Sequence, residues 1–187
     1  MNKQVFIING SGGVGKDLFV KMVKSQAKRI GVENYSSVTK VKEIAEIIGW
    51  DGSKSERDRK FLSDLKLLTT EYNDMPLNDM KRFVNMFMNL ITFDKARIVF
   101  LHIREPEEIT KAVNEFKEYD VKTILVKRDS VKHITSNMAD ENVYNYNYDI
   151  VINNNGTIED LKEKAKCFLD YFLNGVFKDK CFVKCEF

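Results

Sequence analysis

No apolar run in this chain approaches the roughly 20 residues that cross a bilayer. Residues 1–10 pass from Met-Asn-Lys straight into a short apolar segment, without the stretch of a signal peptide. The expectation is a cytoplasmic protein with no membrane partner. An excess of one charge is also missing: 30 Lys and Arg face 28 Asp and Glu. A net charge of +2 gives no reason to expect nucleic acid as a partner, although lysine clusters can still act on a small anion. The three cysteines, Cys167, Cys181 and Cys185, are odd in number and crowded at the C-terminus. That does not fit the disulfide framework of a secreted protein, and free thiols are expected. Neither His102 nor His133 falls at a ligand spacing from them, so no zinc site is expected. There are no repeats and no low-complexity linker. What is left, 187 residues with 43% apolar and 31% charged, suits one α/β domain with a proper core.

Against that background the segment Gly10-Ser11-Gly12-Gly13-Val14-Gly15-Lys16 stands out. It lies between the apolar run Val5 to Ile8 and a helical pattern starting near Asp17. It fits GxxxxGK, in which successive backbone amides curl around an anion while the lysine ammonium reaches the outer phosphates. The helix that follows aims its positive dipole end at the same place. Gly10, Gly12 and Gly15 also satisfy GxGxxG, but a dinucleotide fold wants an acid ending the second strand. Here Tyr35-Ser-Ser-Val-Thr39 follows and Glu33 comes too early, so the phosphate loop is the better reading. Four glycines ending in a lysine serve no packing need. The residue after the lysine is usually Ser or Thr, whose hydroxyl ligates magnesium; here it is Asp17, followed by Leu18.

Strands and helices alternate, which predicts a parallel sheet with helices on both faces. Strand one is read at Val5 to Asn9. Helix one carries Phe19, Val23, Ala27 and Ile30 on one face and is read to end at Gly31. A weak second strand is read around Tyr35 to Val38. An inserted helical block follows: Lys42 to Ile48, the break Gly49-Trp50-Asp51-Gly52, a charged helix from Ser55 with Phe61, Leu65 and Leu68 inward, and another from about Leu77. That last helix, with Pro76 in the tolerated first turn, places Met80, Phe83, Val84, Phe87, Leu90 and Ile91 on one core face. Strand three is Arg97 to Ile103, and Glu105-Pro106 opens a helix to about Tyr119. Strands four and five are Thr123 to Lys127 and Asp149 to Ile152. Thr157 and Asp160 form a capping-box pair for a final helix with Ile158, Leu161, Ala165, Phe168 and Phe172 inward.

In an open α/β sheet, ligands bind beyond the carboxyl ends of the strands. Those places carry His102-Ile-Arg104-Glu105, Lys127-Arg128-Asp129 and the run Asn153-Asn154-Asn155-Gly156. Two arginines and the loop lysine are therefore expected to converge on one anionic spot. Phosphoryl transfer needs mainly positioning and charge stabilisation. An acceptor that is already a phosphate needs no general base, and the lack of an obvious catalytic histidine pair fits. The expected roles follow from the residue types. Lys16 bridges the outer phosphates, the amides of Gly12 to Gly15 hold the β-phosphate, Asp17 holds magnesium through water, and Arg104 and Arg128 neutralise developing charge.

With these motifs the chain resembles the nucleoside monophosphate kinase group of P-loop proteins. Within that group it is similar to the phage-type deoxynucleoside monophosphate kinases and animal phosphomevalonate kinases, whose loops also read GKD. The resemblance rests on Lys16-Asp17, on Arg104 with Glu105-Pro106, on Arg128, and on the Asp149 to Gly156 strand and turn. It implies a P-loop NTPase fold, three-layer α/β/α with a five-stranded parallel sheet and a helical acceptor-binding insertion. The whole of 1–187 is then one kinase domain, with the insertion over 36–92 and a short lid over 129–148. It implies ATP and Mg2+ as cofactors and transfer of the γ-phosphoryl group to a small phosphorylated acceptor, first of all a (deoxy)nucleoside monophosphate. Gly10 to Leu18 would hold the nucleotide, and Asn154, Asn155 and Gly156 would touch adenine, unless they form only a tight turn.

Acceptor contacts are assigned to Lys42, Trp50, Arg57, Arg59, Lys66 and Arg104. The alternatives are a solvated charged face for Arg57, Arg59 and Lys66 and a turn with a packed indole at Trp50. His102 reads as a core histidine. Tyr144, Tyr146 and Tyr148 suit a strand edge or ordered lid, with adenine stacking as the alternative. Two departures from the kinase pattern stand out. Strand three ends without an aspartate, leaving His102 or Glu105 in its place, and the lid offers only Lys132 and His133 after Arg128. A nucleotide-binding regulator with little catalysis, or a kinase of phosphomevalonate or dephospho-coenzyme A, fits the same loop. A homodimer is admitted by the sequence and not fixed by it.

Overall fold

The computed structural model of the chain describes residues 2–91, 94, 96–131, 142–175 and 181–184. The chain forms two compact units, Met1–Asn34 with Ile91–Phe187, and Tyr35–Leu90. Among the described residues no helix is long and apolar enough to cross a membrane.

The first unit is built on strands β1 (Asn2–Asn9), β2 (Ile30–Ser36, whose last two residues belong to the second unit), β3 (Ala96–His102), β4 (Lys122–Lys127), β5 (Ile150–Asn153) and β6 (Val183–Lys184), with helices α1 (Lys16–Gln26), α5 (Pro106–Glu115) and α6 (Ile158–Asn174). The strand order is β2-β3-β1-β4-β5-β6. The first five strands make the expected parallel sheet. β1 pairs in parallel with β3 and β4, and β4 with β5. β6 was not foreseen from sequence; it adds an antiparallel edge to β5, with Val183 opposite Val151.

The burial pattern explains the layers. On β1, Phe6 and Ile8 enter one cluster with Phe19 and Val23 of α1 and with Leu161 and Phe168 of α6. Val5 and Ile7, equally buried, must face the other way because strand side chains alternate. β1 connects to β2 past β3, whereas β3 connects to β4 past β1. Right-handed crossovers therefore put α1 and α5 on opposite faces. Phe168 packs edge-on against Phe6 at 4.7 Å and Phe19 at 5.6 Å between centroids. Such pairs add about 0.5–1.5 kcal/mol each beyond the area they bury. The final helix opens on the expected capping box of Thr157 and Asp160.

Several boundaries differ from the sequence reading. α1 stops at Gln26, and Ile30 is not on the helix but opens β2. Arg29, at φ 60°, turns the chain between them. Apolar residues four, four and three apart suggested one helix, but Ile30 and Val32 are two apart and both buried, which is strand spacing. The second strand consequently starts five residues before the expected Tyr35. Cys167 and Cys181 are disulfide-bonded, not free thiols, with Cα atoms 6.6 Å apart. An odd count of cysteines guarantees one left over and says nothing against a pair. The third, Cys185, lies outside the described residues, as do Lys132 and His133 of the expected lid.

The second unit holds α2 (Thr39–Ile47), α3 (Glu56–Asn73) and α4 (Met75–Met88). Ser55 caps α3: its hydroxyl accepts from the Asp58 amide at 3.2 Å, and the Asp58 carboxylate accepts from the Ser55 amide at 3.1 Å. The Tyr35 ring stacks on Phe83 at 4.3 Å, and its hydroxyl donates to Asp79 at 2.5 Å. On α4, Met80, Val84 and Phe87 are buried as expected, but Leu90 and Ile91 are exposed because the helix ends at Met88. On α3 the inward seam runs through Phe61, Leu65, Lys66 and Thr69, not through Leu68, which is exposed.

Candidate functional site

The strand connections diverge between β1 and β3, so the crevice of this sheet opens where Asn9-Gly10 and His102–Arg104 leave it. The glycine-rich loop Gly10–Lys16 occupies that point. Gly10, Gly13 and Gly15 have φ of 146°, 82° and 97°. At two of them the glycine is required by space as well as by conformation. A Cβ on Gly10 would collide with the Val126 carbonyl oxygen, and one on Gly15 would stand 2.5 Å from the Asn154 amide nitrogen. Lys16, the first residue of α1, folds its ammonium back onto the loop, donating to the carbonyls of Gly10 and, at 2.9 Å, Ser11.

Asp17 and His102 face each other beside this lysine. Nδ1 of His102 lies 3.7 Å from Asp17 Oδ1, with the imidazole mostly buried and the carboxylate 92% exposed. Among the described residues Nε2 of His102 is buried without a hydrogen-bond partner. Burial holds the imidazole below its ordinary pKa; Asp17 opposes this, while Lys16 and Arg104 reinforce it. The lysine, Arg104 and Asp17 thus act on one imidazole. His102 stands where an acid was missing, at the end of β3, and is neither fully a core residue nor exposed.

Arg128 follows β4 and lines an open cleft with Leu18, Asn154, Gly156, Thr157 and Leu161. Its Nε donates to the Ser130 hydroxyl at 3.2 Å. Asn155 and Asp129 hold each other reciprocally: the Asp129 amide donates to Asn155 Oδ1 at 2.8 Å, and Asn155 Nδ2 to the Asp129 carboxylate at 2.6 Å. The Asn154 side-chain amide is committed to the Val14 carbonyl at 2.8 Å.

The other assigned residues lie in the second unit. Lys42, Arg57 and Arg59 are exposed, and Arg59 Nε donates to the Lys54 carbonyl at 3.1 Å. Trp50 donates its indole N–H to the Ser53 carbonyl at 3.2 Å, closing the turn that the sequence offered as an alternative. Lys66 is 7% exposed, which is not the solvated face of that alternative. Sequence reasoning passed over Asn9, buried at the end of β1; Tyr148, read with Tyr144 and Tyr146 as a strand edge or lid with adenine stacking as the alternative, is 2% exposed and offers no open ring face for stacking. A polar residue closing an apolar strand just before the loop was the available signal for Asn9.

Fold and site together define an α/β protein with a glycine-rich loop between its first strand and its first helix. No family model matches the chain, and no curated protein matches it. Solved structures similar to it include an APS kinase of Mycobacterium tuberculosis, at 14% identity and TM-score 0.48 over 90% of this chain and 96% of that one. The tunicamycin resistance protein of Deinococcus radiodurans matches at 11% and 0.47 over 89% and 95%. A de novo designed protein of P-loop NTPase fold matches at 16% and 0.37 over 92% and 94%.

Proposed function

We propose that the protein is an ATP-dependent phosphotransferase that passes the γ-phosphoryl group to a small phosphorylated acceptor, first of all a (deoxy)nucleoside monophosphate. The observation that carries this is the setting of Lys16: a strand-to-helix loop of left-handed glycines, with Asp17 and Arg104 gathered beside it around His102. Loop amides and the lysine receive the β- and γ-phosphates, and Arg104 offsets the charge that develops during transfer. Arg128, expected from sequence to neutralise developing charge, is instead assigned to the base: it borders a cleft with Leu18, Asn154 and Gly156, where a planar guanidinium can lie along a planar ring.

Asp17 fits magnesium, which binds through one or two carboxylates, phosphate oxygens and retained water. Among the described residues no group of three or more His, Cys, Asp or Glu could hold a metal without phosphates. Magnesium, when bound, would supply charge neutralisation across the phosphates, and Asp17 would hold it through retained water. Lys42, Trp50, Arg57, Arg59 and Lys66 of the second unit are assigned to the acceptor. Its phosphate oxygen is already ionised and attacks without a general base. Incubation with ATP, magnesium and a panel of nucleoside monophosphates should yield ADP and a diphosphate. ATP binding with no acceptor-dependent ADP release would replace this reading with that of a nucleotide-binding regulator.

A further inference from the structure

Asn9 is fully buried, and its carboxamide is completely used. Oδ1 accepts from the Gly10 amide at 2.8 Å. Nδ2 donates to the Arg104 carbonyl at 2.9 Å and to the Tyr148 hydroxyl at 2.7 Å. Tyr148 then donates its one proton to the Val143 carbonyl at 2.7 Å. A phenol has a single O–H, so the chain runs in one direction, Asn9 to Tyr148 to Val143. Three segments meet in it: the start of the phosphate loop, the turn bearing Arg104, and the stretch leading into β5. A second contact follows the same path. The hydroxyls of Tyr144 and Ser11 are 3.5 Å apart, and the Lys127 ammonium stands 5.5 Å from the Tyr144 ring centroid.

β1 and β3 are neighbours, with Ile8 opposite His102. The Asn9 amide therefore reaches from the end of one strand across to the chain leaving the next. It sets the spacing between Gly10, where phosphate is received, and Arg104, where charge is offset. Asn9 can hold that geometry only while its second proton has an acceptor, because a buried amide proton left over costs more than a bond gained. Tyr148 supplies that acceptor.

We propose that Tyr148 is a positioning residue for phosphoryl transfer: acting through Asn9, its hydroxyl keeps the main chain at Arg104 in register with the first amide of the phosphate loop. The proposal rests on the kinase reading of the site. The test is Y148F in the wild-type and R104A backgrounds, with kcat and the KM for ATP measured in each. In the wild-type background kcat should fall about tenfold, the scale of one buried hydrogen bond, with KM within about twofold. In the R104A background the same change should cost no further kcat, because the group being positioned is gone. An equal loss in both backgrounds, or a change in KM alone, overturns the proposal. Y119F serves as the control and should leave kcat unchanged, since Tyr119 is a buried tyrosine of the short helix Lys117–Tyr119 before β4 and has no assigned part in the site. If the wild-type chain transfers phosphate to no acceptor, the kinase reading fails, and the link is judged on hydrogen exchange instead. Exchange at the Gly10 amide that is about tenfold faster in Y148F supports it; unchanged exchange overturns it. If Y148F does not fold, N9D, which keeps an acceptor for Gly10 and loses the donor to Arg104, is read in the same way.

Discussion

The side chain of Asn154 donates to the carbonyl of Val14 at 2.8 Å, so the turn after β5 grips the last part of the phosphate loop. The same residue's main-chain N–H is bound by the Lys127 carbonyl at 2.7 Å. The loop is thus fastened at its start by Asn9 and near its end by Asn154, and Gly15 is the residue that lets Asn154 come so close.

Gly15 is where this closeness is least forgiving. With φ at 97° and Asn154 2.5 Å from any added Cβ, G15A is expected to lower stability by about 1–3 kcal/mol and to weaken nucleotide binding. Urea denaturation with and without ATP checks both effects. Unchanged stability would mean that the loop relaxes freely around Asn154.

Removing the ammonium should separate binding from folding. K16A is expected to fold as the wild type does and to lose the stabilisation that magnesium-ATP gives. That stabilisation amounts to about 2.7 kcal/mol at a ligand concentration 100 times Kd. A thermal-shift titration of both proteins decides it, and equal shifts would remove Lys16 from the site.

His102 gives the acid side of stability a definite sign. Its folded pKa is lowered by burial, so below about 6.5 the unfolded chain takes up a proton that the folded chain refuses. The neutral ring's contribution is fully present above that pH and is lost as pH falls toward the folded value. In metal-free buffer the urea midpoint should decline as pH falls below about 6.5, and H102Q should flatten the decline. The same slope in both proteins would assign it to other groups.

The bond between Cys167 and Cys181 closes a sequence separation of 14. A loop of that size is worth about 3 kcal/mol in the chain-entropy account. Reduction should lower the urea midpoint, and C181S should lose that response. Mass spectrometry under non-reducing conditions should find the pair linked.

Much of this was legible in the sequence, for physical reasons that differ by element. The glycines at 10, 13 and 15 and Lys16 have almost no other use, so the loop could be read directly. Strand β3 showed itself as an apolar run buried on both faces, and Thr157 with Asp160 announced a helix start three residues apart. Ile30 was misread because one isoleucine can satisfy helical and strand spacing at once, and only the turn at Arg29 separates them. The partners of Asn9 lie 95 and 139 residues away. No local pattern records a buried hydrogen bond of that reach.

The resting place of Lys16 has a consequence for how a nucleotide is taken up. Its ammonium is already a donor to the carbonyls of Gly10 and Ser11. On the kinase reading, an arriving phosphate would not meet a bare cation but would trade places with two backbone oxygens of the loop. Uptake is then an exchange of partners, and its net enthalpy is the difference between two sets of hydrogen bonds. Affinity at this loop is governed as much by what the lysine gives up as by what it gains.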